Sequence, residues 1–468
     1  MVGLASVRAW VIRLPDLRAV AAGLLFAAIL APPASAQDTR TVTEPSFPPP
    51  CVELQAKAST PDDAHPDTAR IQDALDHCAA GHAVKLTSGA SGGAFVTGPI
   101  QLRAGVTLLV NKGATLYASR NPRDYDLNPG SCGTVTKTGH GCKPVIAGTN
   151  IAHAGVMGEG TIDGRGGEKL GGQNISWWDL AQEAKVKNEN QSCPRILVLS
   201  HADDFTLYKI TLRNSPNFHV SYSNGNGFTA WGVIVDSPRN SRNTDGIDPG
   251  NSTNVTITHC FINTGDDNVA IKAGHGAPTT HMTISHNHFY AGHGMSIGSE
   301  TDGGSSAIRV TDLSIDGADN GIRIKSNASR GGLVRDVIYE DICIRNTKNP
   351  ILMDSNYSAT GLPAGVPDKL PMFTDITLRN VRIDGAGKLT FNGYDAAHKL
   401  GMLLDGVTLS NPPQIQITGI HADIALGPGP VNLRPTGQDV RYSGAPGKGT
   451  PNACEDKFAP FPAKLQTP

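Results

Sequence analysis

The sequence predicts an all-β solenoid, a parallel β-helix with a short N-terminal capping helix, on three observations. A strand-like octet recurs from Phe205 onward, restarting at Phe228, Val255, Met282, Ile308, Val337, Ile376 and Met402, as in FTLYKITL, VTITHCFI and ITLRNVRI. A second short strand follows each of the first seven octets, starting at Asn217, Asp245, Asp267, His293, Asn320, Asn349 and Lys388. Its offset is 11 or 12 residues everywhere except the Asp245 coil, where Ser237 to Arg242 lengthens the turn to 17. Finally, the chain holds 53 Gly in 468 residues and only 5% aromatics, which suits many tight turns around an aliphatic core. A repeat of this length, with β-branched strands and Gly/Asn/Asp turns, describes coils stacked about 4.8 Å apart. A β-propeller needs longer blades of four strands each and fits less well.

Taken in chain order, the first 36 residues read as a signal peptide. Arg8, Arg13 and Arg18 supply a positive start, Ala19 to Ala31 an apolar run too short to span a bilayer, and Ala34-Ser35-Ala36 a small-residue cleavage pattern. An exported protein without a further membrane-length stretch is expected, with residues 37–468 forming a single domain. Pro66 to Cys78 follows as the capping helix. Ile71, Ala74, Leu75 and Cys78 keep helical spacing, and Asp67 or Thr68 can serve as the N-cap. Phe47 to Pro50 and Ala459 to Pro468 are Pro-rich and read as terminal tails. Ile247, Val269, Ile271, Ile297, Ile322 and Ile324 are expected to point inward as aliphatic ladders.

Lys+Arg 40 against Asp+Glu 42 leaves a formal net charge of -2, with no basic excess of the kind a nucleic-acid binder carries. The eight cysteines are even in number, which permits disulfides in an exported chain but does not fix their pairing. Cys132–Cys142 is the expected pair, since both lie in one Gly-rich loop, while Cys260 and Cys343 sit in apolar strands and read as buried thiols. No CxxC occurs, so a thiolate zinc site is not expected.

The coil alignment turns spacing into geometry. Asp245, Asp267 and His293 hold equivalent positions on three successive coils, and Asp266 adjoins Asp267. Arg323 and Lys325, at alternate positions on the next coil, can project from one face. Three carboxylates, an imidazole and two cations therefore converge. Carboxylates this close cannot all ionise freely, so at least one raised pKa is expected. A protonated carboxyl beside ionised ones suits hydrolysis of a glycosidic bond, one group protonating the leaving oxygen while another activates water. The two cations suit an anionic substrate. Taken singly, Asp-Asp is an ordinary turn pair and Arg-Ile-Lys an ordinary exposed strand. Asp245, Asp266 and Asp267 could also hold Ca²⁺. His281, His286 and His288 read as structural or exposed.

Asn243-Thr244-Asp245-Gly246-Ile247-Asp248-Pro249, Gly265-Asp266-Asp267-Asn268, Gly292-His293-Gly294 and Arg323-Ile324-Lys325 resemble, in order and spacing, the four signatures of family 28 glycoside hydrolases. GHGMSIGSE and GIRIKS look most like secreted bacterial endo-polygalacturonases. The resemblance implies a right-handed β-helix that hydrolyses α-1,4-linked galacturonic acid in pectin with inversion and without a metal or other cofactor. By position, Asp266 is the general acid, Asp245 and Asp267 hold and activate water, and His293 tunes the acid. Arg323 and Lys325 bind the galacturonate carboxylate, and Asn243 and Tyr357 join them as substrate-binding positions. A secreted monomer acting on polygalacturonate is thus expected, with no nucleic-acid partner and no membrane association after signal cleavage. Exo-acting polygalacturonases, rhamnogalacturonan hydrolases, Ca²⁺-dependent pectate lyases and a non-catalytic polysaccharide-binding β-helix are the alternatives.

Overall fold

A computed structural model describes residues 37–139, 141–357 and 369–462; the expected signal peptide, residues 1–36, lies outside them. Among the described residues, eleven parallel strands from Ile100–Gln101 to Ile415–Ile420 form one sheet, here called the floor. The other faces of each coil belong to a second, larger sheet. One full coil runs Val220–Ser223 on the floor, then Asn226–Trp231 and Ile234–Asp236, and returns to the floor at Ile247–Gly250. The molecule is a parallel β-helix.

The octets are in register throughout. Phe205 pairs with Phe228, Phe228 with Val255, and the pairing continues through Met282, Ile308, Val337 and Ile376 to Met402. Each octet contains a corner, where one residue of left-handed backbone turns the chain between two faces. Lys209, Gly232, His259, His286, Asp312, Asp341, Asn380 and Gly406 stack there, with φ between 48° and 74°. Gly and Asn accept this conformation readily, whereas His259 gains a compensating stack on Trp231 and His286 one on His259, at 4.8 and 4.9 Å between rings. His286 and His281 are partly or largely exposed, as expected, and His288 is half-buried against Ser314.

On the floor, alternate residues of each strand point inward. Ile247, Val269, Ile271, Ile297, Ile322 and Ile324 are all fully buried, as their alternation predicts. The residues between them face outward and build the site. A ten-residue helix, α1 (Thr68–His77), buries Ile71 and Leu75 near the first strands. Asp67 sits at its N-cap, but its carboxylate pairs with the Arg70 guanidinium and accepts from the Val96 amide, capping no first-turn amide. A second helix, α2 (Trp177–Lys187), opens with a Ser176/Asp179 capping box.

One expectation changes. Cys343 is not a thiol but pairs with Cys454, and Cys51 pairs with Cys78; Cys132–Cys142 forms as expected, and Cys260 is a buried thiol, like Cys193. An apolar strand context hides a cysteine's partner when that partner arrives from a distant tail. The described parts of the tails lie against the coils; residues 463–468 lie outside the described residues. Pro50 opens a strand, and residues 38–47 run along the outside of the coils. Asp38 takes a hydrogen bond from Thr256 and gives its amide to Thr283, Arg40 donates to the Phe228 carbonyl, and Glu44 accepts from Tyr208. At the other end Tyr290 donates to the Ala459 carbonyl and packs on Phe461.

Candidate active site

Register places the site residues. Ile247 pairs with Val269, Val269 with Met295 and Met295 with Ile322, so the residues two positions earlier, Asp245, Asp267, His293 and Asn320, form one column. This is the row the repeat predicts. The marks at Asn217 and Lys388 are each one residue out: Phe218 and Gly387 hold those places, because the turns at the two ends of the series differ by a residue. Extended upstream, the column reaches Arg195 through the pairing of Leu197 with Val220.

The glycines of the motif have a steric reason. A Cβ on Gly292 would fall 2.5 Å from the Thr264 hydroxyl, and one on Gly294 would fall 2.2 Å from two carbonyl oxygens of the next coil. Both have positive φ, 137° and 76°. Asn268, fully buried, locks this corner: its side chain accepts from the Gly294 amide and donates to the Ile262 and Ala291 carbonyls. His293 is thereby held with its amide on the Asp266 carbonyl and its Nδ1 2.9 Å from Asp266 Oδ1. Its Nε2 faces Asp319 at 4.0 Å, and Asp319 is itself bound by Arg239 and Lys348.

Asp267 lies 1% exposed between Arg323 and Lys325, with Lys325 Nζ 3.0 Å from Oδ2 and Ser296 donating to Oδ1 at 2.9 Å. Arg323 pairs with Oδ1 and also donates Nε to Ser296. Burial alone would raise this carboxyl, but the two cations hold it well below the usual carboxylate range. Asp266 is more open. Burial pushes it up, yet the His293 hydrogen bond together with the His293 and Lys325 charges brings it below its ordinary value. Lys325 Nζ also lies 5.4 Å from the centre of the Tyr357 ring, bringing that residue to the site. Asn243 stands at the rim, its φ 57° and its side chain 3.4 Å from Gln191 Nε2 on the short strand Asn190–Ser192.

Asp245 is the opposite case. It is buried, its Oδ1 has no partner, and burial together with Asp266 and Asp248 raises it well above its ordinary value. The expected elevated carboxyl is therefore present, and it is Asp245. Its backbone is fixed instead: buried His219 donates Nδ1–H to the Asp245 carbonyl at 2.9 Å and accepts from Ser237, and burial pushes its pKa down to about 4, so it stays neutral.

Asp248 is a residue the sequence reading quoted but did not single out. Both carboxylate oxygens are buried without a hydrogen bond, the nearest cation is Lys272 at 3.8 Å, and burial pushes its pKa up to about 7. Its place one position past an inward isoleucine, on the outer face of the Asp245 coil, was the available signal. Lys272 was also missed; Asp248 and Asp245 outweigh burial and raise its pKa.

Asp266, Asp267 and His293 each bring a ligand atom within 4.8 Å of the others, the spacing of a metal cage. Arg323 and Lys325 already answer the charge of Asp267, so a cation there would compete with two fixed ones. The donor set fits an ion poorly.

The glycosyl hydrolases family 28 model matches residues 78–426, which is most of the chain. The chain belongs to glycosyl hydrolase family 28. This family-28 chain is 44% identical to an endo-polygalacturonase of Pectobacterium carotovorum subsp. carotovorum over 83% of its own length and 93% of that protein. It is 39% identical to a polygalacturonase of Ralstonia nicotianae, covering 87% of each. Among solved structures, it overlays the polygalacturonase of Erwinia carotovora ssp. carotovora with a TM-score of 0.78 at 42% identity, covering 83% of this chain and all of that one.

Proposed function

We propose that this family-28 chain is an endo-polygalacturonase, hydrolysing α-1,4 bonds between galacturonic acid residues of polygalacturonate by an inverting acid–base mechanism. The observation that carries it is the single column of Asp245, Asp267 and His293 beside Asp266, on a chain 44% identical to an endo-polygalacturonase over most of both lengths.

In this reading Asp266 is the proton donor to the leaving oxygen. Its lowered pKa reflects the His293 Nδ1 held 2.9 Å away; a bound polyanion raises it toward the protonated form, since added negative charge raises a neighbouring carboxyl. Asp267, kept ionised by its two cations, and Asp245 orient the attacking water, with His219 fixing the Asp245 backbone. Arg323 uses Nε and one terminal nitrogen on Ser296 and Asp267, leaving its other edge for a substrate carboxylate beside Lys325 and Tyr357. Asn243 contributes at the rim. Residues 37–468 act as one domain after removal of a signal peptide at 1–36, and the enzyme works outside the cell. Among the described residues no helix is long and apolar enough to cross a membrane.

The test is purified protein on polygalacturonate with EDTA, following viscosity, reducing ends and ultraviolet absorbance together. A steep viscosity fall at few new reducing ends, with no absorbance rise, is expected. Reducing ends accumulating while viscosity barely moves would make the enzyme exo-acting. Absorbance growth, or complete loss that Ca²⁺ restores, would mean elimination and overturn the assigned roles.

A further inference from the structure

The outer face of the floor changes character upstream of Asp245. There Arg195, Val198, Ser200, Phe218, Ser221 and Ser223 are all partly exposed, whereas Asp245 and Asp248 on the next coil are buried. Register puts Arg195 and Phe218 in the Asp245–Asp267–His293 column, two rungs and one rung before Asp245. The Arg195 guanidinium lies 4.5 Å from the centre of the Phe218 ring, and its side-chain hydrogen bond is a long one, 3.3 Å from Nη1 to the Ser221 hydroxyl. Among the described residues no carboxylate comes within ion-pairing distance of it. Nearly every other cation near this face is matched: Arg323 and Lys325 by Asp267, Lys272 by Asp248 and Glu300, Arg330 by Glu300. A guanidinium without an ion pair, centred over an aromatic ring at a polar shelf, with Asp248 and Asp245 acting on it only from beyond ion-pairing distance, is prepared for an external planar anion.

We propose that Arg195, seated on Phe218, is a binding residue that grips the carboxylate of a substrate uronic acid about 10 Å along the stacking axis from Asp245, two rungs of the helix. That span is on the scale of two hexose rings, so the unit gripped is upstream of those at the reacting centre. The inference rests on the polygalacturonate reading above. It assigns Arg195 to recognition of the polymer and not to bond cleavage: the guanidinium distinguishes a free carboxylate, which accepts two parallel N–H bonds, from a methyl ester, which carries no charge.

The experiment compares wild type, Arg195→Ala, Arg195→Gln and Arg195→Lys on polygalacturonate, on the shortest oligogalacturonide the wild type cleaves, and on highly methyl-esterified pectin. Arg195→Ala is expected to lose about 10- to 100-fold in kcat/KM on the long polymer, chiefly through KM, the scale of one charge-assisted hydrogen-bonding contact. The loss should shrink on the shortest substrate and on the esterified polymer, and Arg195→Lys should recover part of it. Binding of a long oligogalacturonide to the inactive Asp266→Asn protein should weaken by the same factor when Arg195→Gln is added. Equal losses on all three substrates, or no change in KM and binding, would overturn the proposal. Wild-type hydrolysis of polygalacturonate in the same assay separates the two readings: its absence refutes the function, whereas its presence with an indifferent Arg195 refutes only this inference.

Discussion

Asp245 and Asp267 occupy the same place on consecutive coils, yet the two halves of the cleft floor they head treat a buried carboxyl in opposite ways. Downstream, Arg323 and Lys325 close on Asp267 and keep it ionised. Upstream, Asp245 and Asp248 are buried without a hydrogen-bonded cation, Lys272 standing off 3.8 Å from Asp248, and burial holds both high. A repeat fold makes positions equivalent in space, but not in electrostatics, because the neighbours come from adjacent coils and the ladder ends differ. The contrast gives the reaction both an ionised and a protonatable carboxyl within one row, with Asp266 at the boundary between them.

Altering the boundary should have the largest effect. Asp266→Asn is expected to lower kcat by about 10²- to 10⁴-fold, the usual contribution of a general acid, without moving the melting temperature. Turnover near the wild-type level would remove Asp266 from that role. Next in size, Arg323→Ala breaks the downstream compensation. Stranding Asp267 in its buried position should cost about 3–5 kcal/mol in urea unfolding, and Asp267→Asn added to it should restore part of the loss. An unfolding midpoint unchanged by Arg323→Ala would show that the two halves differ less than their contacts indicate.

The smallest effect is expected upstream and depends on pH. Folded Asp248 titrates at about 7 against 3.8 for an ordinary aspartate, so between those values the folded state holds the extra proton. Stability then falls as pH rises through that window and levels off above it; Asp267 has the opposite sign, its contribution being lost as pH falls below the ordinary range. Asp248→Asn should therefore stabilise the protein more at pH 8 than at pH 5, by about 2–3 kcal/mol, read from melting curves at the two values. A gain at pH 5 as large as that at pH 8 would mean that Asp248 is already ionised there.

Much of this was legible in the residues. All eight octets fall in register, and the column through Asp245, Asp267 and His293 follows from counting alone. Counting works because a β-helix repeats its backbone hydrogen bonding rung by rung, which converts spacing along the chain into position in space. It failed where contacts do not repeat. Cys343 waits for Cys454, 111 residues later, and nothing in its own strand announces that partner. Asp248 is no different by pattern from any outward strand residue; only the lack of a hydrogen bond to either oxygen sets it apart. Arg195 lies before the first octet, so a ladder counted from Phe205 could not reach it. The elevated carboxyl was expected from crowding, but crowding does not say which member of a cluster retains its cations.

The segment from Asp38 to Glu44 carries one more consequence, for the order in which the chain can assemble. It leaves the ribosome early, yet its partners Thr256 and Thr283 are 218 and 245 residues further on. It can seat only after the coils bearing Phe228, Thr256 and Thr283 have stacked, so the earliest described residues to be made are among the late ones to dock. Until then the flank it later covers is bare, and the nascent solenoid must be stable enough without this latch to wait for it.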